Sequence, residues 1–194
     1  LRLYGAGLRV SEKFIDMMKT ECNTSIFEVH LDPKNPDLLS RNFSSDIPLD
    51  DQTIDYIYAG EIIEHLINPE WMIKESFRIL KPGGRMIITT PNISRIGNVF
   101  KLLMGRSNLE RLSPIGSQDP YDEHRGHFHE YNMKELYDIV HENGFKVVKG
   151  EYYLGRVTEM VIRNWRKKIT DLIKKPFYII PHFKDDIFLV AKKI

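Results

Sequence analysis

Residues 46–92 read DIPLDDQTIDYIYAGEIIEHLINPEWMIKESFRILKPGGRMIITTPN. Within them Ile54 to Ala59 (IDYIYA) predicts a strand, Glu61 to His65 an acidic, histidine-bearing turn, and Asn68 onward a helix. Asn68 is a good N-cap, and Pro69 at the first helical position gives up no N–H that the helix needs. Trp71, Ile73, Phe77 and Leu80 supply apolar positions. The helix is expected to stop at Lys81-Pro82-Gly83-Gly84, where proline blocks continuation and the glycines permit a turn. Met86 to Thr89 (MIIT) is then a second strand, short and mostly apolar, as a strand covered on both faces must be. Strand, turn, helix, turn and strand in that order make half of an open α/β sheet. Such sheets bind ligands at the loops beyond the carboxyl ends of their strands. The stretch therefore points to an enzyme rather than to a generic packing domain.

Outward from it the alternation continues. Leu1 to Tyr4 is a short run ending in a Gly5-Ala6-Gly7 turn, and Val10, Phe14, Met17 and Met18 recur at helical spacing, with Ser11 as cap. Ser25 to His30 (SIFEVH) is a strand running up to Asp32-Pro33, and residues 33–46 read as loop with at most one short strand. Residues 94–105 look helical and 106–131 form a long loop, of a length that compact domains reserve for function. Asn132 with Glu135 makes a capping box for a helix ending near Asn143-Gly144. Phe145 to Val148 begins a strand, Val157 to Lys174 is a basic helical segment, and Ile187 to Ala191 is the last strand. The order predicts an α/β fold: a doubly wound, mostly parallel sheet with helices on both faces and the last strand antiparallel. Residues 1–194 are expected to be one domain, with 94–131 as a lid or substrate region and 155–180 as a basic helical insertion.

The charge balance narrows the classes. A net charge of +1 over 194 residues gives no whole-chain field toward nucleic acid, so nucleic acid is an unfavoured partner. The single cysteine, Cys22, excludes an internal disulfide and a multi-cysteine metal site, reads as a small packing residue, and fits a reducing, cytoplasmic compartment. No apolar run approaches the ~20 residues of a membrane span, and no signal peptide is visible. The chain starts at Leu1 rather than Met, as expected where residues lie upstream.

A Gly-Ala-Gly turn between a first strand and a first helix lets backbone approach a ligand and aims helix N–H groups at it. An acidic residue ending the second strand can accept hydrogen bonds from ribose hydroxyls. Gly5, Gly7 and Asp32 fit those roles; a plain turn is the alternative at each of them.

Asp46-Ile47-Pro48-Leu49, Ile54-Asp55, Glu61-Ile62-Ile63-Glu64-His65-Leu66, Pro69, Glu75, Arg78 to Gly84, Thr90-Pro91-Asn92, Gly126-His127-Phe128 and Gly144-Phe145 together resemble the class I S-adenosylmethionine-dependent methyltransferases. The resemblance is to the broad type 11/23-like group that includes ubiquinone-pathway and sugar methyltransferases. It covers about residues 5–150 and implies a Rossmann-like fold with S-adenosylmethionine as cofactor. Gly5, Ala6 and Gly7 would lie under the cofactor, at the switch point between the first and fourth strands. Asp32 would hold the ribose, Ser44 and Ser45 would flank the adenine, and Ala59 and Gly60 would sit near the methionine part. Two departures stand out: Leu3 takes the place of the family's acidic residue before the first glycine, and Arg9 that of its third glycine.

Glu61, Glu64 and His65 stand at i, i+3 and i+4, one face of a helical turn. Facing the cleft, they could bind a divalent cation, let His65 act as general base, or hold loops. The small-RNA and ubiquinone-pathway O-methyltransferases have a similar Glu-x-x-Glu-His turn used for magnesium. In the former a distal histidine, matched here by His127 in His127-Phe128-His129-Glu130-Tyr131, completes the site. Mg2+ on Glu61, Glu64, His65 and His127 is thus a second cofactor expectation. His65 and His127 are the catalytic candidates, with His124 and His129 read as surface residues. Phe100, Leu102, Leu103 and Met104 are read as core or lid packing. Val161, Trp165 and Ile169 form an apolar stripe beside Arg163, Arg166, Lys167, Lys168, Lys174 and Lys175, which packs on the sheet with its charges in water, lies on an anionic membrane as a peripheral membrane contact, or contacts nucleic acid; packing is the default.

The function expected is O-methylation of a small-molecule, glycan-like or lipid-linked acceptor by S-adenosylmethionine. The alternatives are a Mg2+-dependent RNA 2′-O-methyltransferase and a non-catalytic binding subunit of the same fold, the latter resting on Leu3 and Arg9.

Overall fold

Six strands form one sheet: β1 (Arg2–Gly7), β2 (Ser25–Glu28), β3 (Ile54–Gly60), β4 (Leu80–Pro91), β5 (Phe145–Tyr153) and β6 (Asp186–Lys193). The computed structural model describes residues 2–7, 25–28, 47, 49–66, 68–107, 127–154 and 173–194, with backbone alone for 2–7, 25–28 and 65. The strand order is β2-β1-β3-β4-β6-β5. β1 pairs in parallel with β2 and β3, and β3 with β4, while β6 runs antiparallel between β4 and β5. Since β4 and β5 both oppose β6, only the last strand is reversed, as expected. The chain leaves β1 toward β2 on one side and returns to β3 on the other. The β1/β3 boundary is therefore the topological switch point, where ligands bind in open α/β sheets.

The helix after β3, α1 (Pro69–Ile79), opens as its sequence predicts: the Asn68 side chain accepts from the Trp71 N–H at 3.2 Å. It buries Met72, Ile73 and Ile79 against the sheet. β4 is longer than the expected MIIT at both ends. Its ladder begins at Ile54↔Leu80 and resumes at Tyr56↔Arg85, so Lys81 to Gly84 is a bulged excursion inside the strand, not a turn before it. Gly83 takes φ +80°, and a Cβ on Gly84 would come within 2.9 Å of the Lys81 carbonyl and 3.0 Å of the Asp55 carbonyl. The excursion is closed by Lys81 Nζ to Asp55 Oδ1 at 2.8 Å.

Ahead of β3, Arg78 ties down the residues around Ile47. It donates to the Ile47 and Leu49 carbonyls at 2.9 and 2.8 Å, and to Glu75, whose other role is to accept from the Ile47 N–H. Arg78 holds the Glu75 carboxyl below the usual carboxylate range.

The helix α2 (Ile96–Leu103) is shorter than the expected 94–105. In α3 (Met133–Glu142) the capping box is present in both directions: Asn132 Oδ1 accepts from the Glu135 N–H at 2.9 Å and Glu135 Oε2 from the Asn132 N–H at 3.0 Å. Asn132→Ala should cost about 1 kcal/mol, read as a lowered midpoint in urea unfolding with unchanged slope; an unchanged midpoint would show the cap to be idle. The sheet and helices close on a core that includes Ile57, Ile73, Met86, Leu136, Phe145 and Leu189. Phe145 meets Phe77 edge to face at 5.2 Å.

The helix expected near 10–18, Cys22, the 33–46 loop and the apolar-basic stripe at 161–169 lie outside the described residues. At the end of the 155–180 segment the chain is not α-helical throughout: Lys175–Ile179 and Pro181–Phe183 are 3-10 turns. Pro176 and Pro181 deny the N–H groups that a longer α-helix would use.

Candidate active site

The register of the switch point places small residues side by side. Gly5 pairs with Tyr58, Ala6 with Ala59 and Gly7 with Gly60. The expected Gly5-Ala6-Gly7 turn is a correction: these residues continue β1, because a ladder partner is available on β3 as far as Gly60. The functional consequence survives the change. Two adjacent parallel strands end at one level in glycines, and the Tyr58 ring lies against Gly60, in the space where a Cβ would stand. Asp32, Ser44, Ser45 and His124 lie outside the described residues.

Past Gly60 the chain turns sharply. Glu61 adopts φ +52°, in the left-handed region that non-glycine residues avoid. Its N–H is held by the Thr89 carbonyl at 2.9 Å. The only helical turn that follows is a 3-10 turn, Ile63–His65. Glu61, Glu64 and His65 therefore do not share one helical face as expected, since Glu61 precedes the turn. Of His65 the backbone alone is described.

Glu61 and Glu64 nevertheless remain close enough to repel. Burial, then the charge of Glu61, pushes the Glu64 carboxyl up to about 7, although Thr90 Oγ1 donates to its Oε2 at 2.9 Å. Burial likewise raises Glu61, against a hydrogen bond with the Thr89 side chain. Across the mouth, β6 begins at Asp186, paired with Pro91 of β4 and Tyr153 of β5. Burial and the charge of Glu61 push Asp186 up to about 7, and burial raises the Tyr153 phenol. The Thr89 side chain works to lower both Glu61 and Tyr153 against their burial. Thr89, Tyr153 and Asp186 were not among the residues expected from sequence. Asp185-Asp186 before an apolar strand was the available signal, and it marks the ligand edge only once that strand is known to be reversed.

These raised carboxyls carry a pH consequence. A carboxyl whose folded pKa lies above its unfolded value stabilises the fold fully below the unfolded pKa, about 4.3, and that stability is lost as pH rises through about 7. Melting temperature should therefore fall between about pH 4.5 and 8. Glu64→Gln, which keeps the acceptor for Thr90, should flatten that fall by about 3 kcal/mol; an unchanged slope would show that Glu64 titrates as an ordinary surface acid.

The segment carrying His127 is stitched to this turn. The Phe128 and His129 N–H groups both donate to the Glu64 carbonyl, at 2.8 and 3.3 Å. Asn92 and Tyr131 form a bridge, and the Ile93 N–H donates to the Tyr131 carbonyl at 3.0 Å. His127, half-buried, meets Glu130 Oε1 through Nδ1 at 3.0 Å. Glu130 is 1% exposed and accepts also from Arg95 Nη2 at 2.8 Å and Asn98 Nδ2 at 2.9 Å. Burial works to raise the Glu130 carboxyl, but its bonds with His127, Arg95 and Asn98 outweigh it and hold the group below the usual range. An ionised Glu130 only accepts, so the proton of the shared contact sits on Nδ1 of His127. His127 also bears electrostatically on Glu61 and Glu64, so it stands beside the acidic mouth. His129 is exposed, as expected of a surface residue.

Among the described residues no group of three or more His, Cys, Asp or Glu side chains is placed to hold a metal ion. Glu64 is hydrogen-bonded to Thr90 and His127 to Glu130. The side chain of His65, one of the four donors expected for Mg2+, lies outside the described residues.

Comparison with known proteins agrees with this architecture. A family model described as a methyltransferase domain matches residues 12–149. A "Probable S-adenosylmethionine-dependent methyltransferase" of Mycolicibacterium smegmatis is 31% identical over 103 residues, covering 53% of this chain and 33% of the relative. A ubiquinone biosynthesis O-methyltransferase of Coxiella burnetii is 26% identical over 113 residues, covering 58% and 44%. The chain thus spans less than half the length of these curated relatives. Among solved structures, a SAM-dependent methyltransferase from Archaeoglobus fulgidus superposes with a TM-score of 0.58 at 16% identity, covering 99% of this chain and 86% of that one. Phosphoethanolamine N-methyltransferase 2 of Haemonchus contortus, in complex with S-adenosyl-L-methionine, also gives 0.58, at 14% identity and covering 99% and 48%. No described helix is long and apolar enough to cross a membrane.

Proposed function

The chain belongs to the S-adenosylmethionine-dependent methyltransferase family through its methyltransferase domain, and we propose that it methylates a hydroxyl oxygen of a small-molecule, glycan-like or lipid-linked acceptor. The observation that carries the oxygen reading is the His127–Glu130 pair beside the acidic mouth. The cofactor supplies an electrophilic methyl group on a cationic sulfur.

The residues present fit it. Gly5, Ala6 and Gly7 beside Ala59 and Gly60 bring little side-chain bulk of their own, which suits close approach of a ligand to backbone, with the Tyr58 ring beside Gly60 as the bulky neighbour. The Glu61 carboxyl at the end of β3 suits a neighbouring positive charge. Asp32 on the ribose and Ser44 and Ser45 beside the adenine complete the proposed cofactor contacts. With its proton on Nδ1, His127 keeps Nε2 as the basic nitrogen, and that atom would take the acceptor's hydroxyl proton as the C–O bond forms and the methyl–sulfur bond breaks, with S-adenosylhomocysteine as the leaving group. Glu130 holds the ring in that tautomer, as the third group does in a nucleophile–base–orienter series. His65 is the second candidate for the base. Alignment of the hydroxyl with the methyl group provides most of the rate. No step is assigned to Mg2+.

The test is transfer of isotope-labelled methyl from S-adenosylmethionine to a panel of phenols, glycosides and lipid-linked alcohols, with matched amines. Methyl ethers are expected. Label found on amines alone would overturn the oxygen reading.

A further inference from the structure

Twelve large apolar side chains among the described residues are exposed, and seven of them fall in two short segments: Leu102, Leu103 and Met104, and Ile173, Phe177, Ile179 and Ile180. The rest are scattered singly, which needs no explanation. The two segments meet. Phe100 of α2 packs edge to face on Phe177 at 5.6 Å, and a Cβ on Gly97 would lie 3.3 Å from Lys174 Nζ. Gly97 and Phe100, three apart, thus mark the face of α2 that meets the 3-10 turn. Leu103 and Met104, three and four residues beyond Phe100, prolong that face past Phe177. There they are 78% and 63% exposed, and Ile179 on the facing turn is 83% exposed.

The charges within these two described stretches are of one sign. Residues 93–107 hold Arg95, Lys101 and Arg106, and residues 173–184 hold Lys174, Lys175 and Lys184, with no Asp or Glu in either stretch. Arg95 is turned inward to Glu130, which leaves five cations for the surface. In a chain whose net charge is only +1, that is a local segregation. An apolar face of bulky side chains interleaved with Lys and Arg is what the interface of an anionic bilayer takes: side chains enter the acyl boundary while lysines stay at the headgroups.

We propose that the face formed by α2 and the Lys175–Ile179 turn docks the protein on the surface of an anionic phospholipid bilayer. This placement differs from the expectation at Val161, Trp165 and Ile169: it rests on the described residues alone and does not depend on the methyl-transfer reading. Its geometry also links the surface to the site. Asn98 on the other side of α2 binds Glu130, so the helix lies between the bilayer and the His127–Glu130 pair. An acceptor carried in the membrane would reach the mouth along α2.

The experiment is co-sedimentation of the full chain with extruded vesicles of phosphatidylcholine alone and of phosphatidylcholine with 30–40% phosphatidylglycerol (roughly the anionic fraction at which polybasic surfaces bind). Binding to the anionic vesicles is expected, at least ~10-fold tighter than to the neutral ones, and weakened by 0.5 M salt, about where screening becomes short-ranged. Leu103→Glu with Ile179→Glu should abolish it. Lys174→Ser with Lys175→Ser should weaken it roughly 10- to 30-fold. Val148→Glu, which charges an exposed apolar position on β5, should leave it unchanged. Melting temperatures within about 2 °C of the parent, the scale of a few tenths of a kcal/mol, would show that all variants fold. Equal binding to both vesicle types, no binding to either, or equal loss in Val148→Glu would overturn the proposal. So would sedimentation velocity showing a dimer that Leu103→Glu with Ile179→Glu dissociates, because the face would then be a contact between two copies of this chain.

Discussion

Glu130→Ala is expected to lower stability by about 3–5 kcal/mol, the cost of removing one partner from a buried, hydrogen-bonded charge cluster. Glu130 is almost fully buried and joins three elements: Arg95 just before α2, Asn98 within it, and His127 in the segment tied to the Glu64 carbonyl. Alanine would leave the Arg95 guanidinium, 19% exposed, beside an empty volume without its anion. It would also leave the Asn98 amide, 1% exposed, with one bond fewer, to the Ile93 carbonyl only. Glu130→Gln keeps the volume and one acceptor and should cost less than half as much. Urea unfolding of the two variants at pH 7 reads both values. A loss below about 1 kcal/mol for alanine, the net worth of a single ordinary hydrogen bond, would show that the cluster does not hold these elements together.

His127→Ala is expected to reduce kcat by ~10²–10⁴, the range that a positioned general base contributes. Affinity for S-adenosylmethionine should stay within about 3-fold, because the proposed cofactor contacts are at the ends of β1 and β3 and an unchanged contact set leaves the binding free energy nearly unchanged. Stability should fall only modestly, since Arg95 and Asn98 continue to serve Glu130 when the ring is removed. The kcat and KM of the parent and the variant, compared over pH 6–9 (about the span across which a histidine base ionises), test this. An unchanged kcat would move the role of base to His65.

What could be read from residues alone follows from how local each signal is. The cap at Asn68, the box at Asn132 with Glu135 and the bounded run from Ile187 to Ala191 each depend on a few neighbouring residues, and each has the expected form. The Lys81 to Gly84 stretch was read as a turn because proline and two glycines permit one. Its place inside β4 depends on the partner strand β3, which local preference does not contain. The same limit explains the Gly5 to Gly7 strand. It also explains Glu61, whose positive φ breaks the helical spacing assumed for Glu61, Glu64 and His65.

The candidate site divides in the same way. His127 stood out by residue type. Arg95, Asn98 and Glu130 come together across 35 residues of sequence, from Arg95 to Glu130, so no spacing rule would have joined them. Asp186 and Tyr153 required the antiparallel pairing of β5 and β6 to be known before they could be assigned to the same mouth.

The switch point between β1 and β3 is expected to take S-adenosylmethionine despite Leu3 and Arg9. Calorimetric titration of the full chain with S-adenosylmethionine and S-adenosylhomocysteine, with and without Mg2+, tests it most directly. The account predicts one site for each, with dissociation constants on the order of micromolar, a range usual for enzyme ligands, and no requirement for Mg2+. No heat with either compound, from a chain that circular dichroism shows to be folded, would contradict it and leave a methyltransferase fold that serves as a binding subunit.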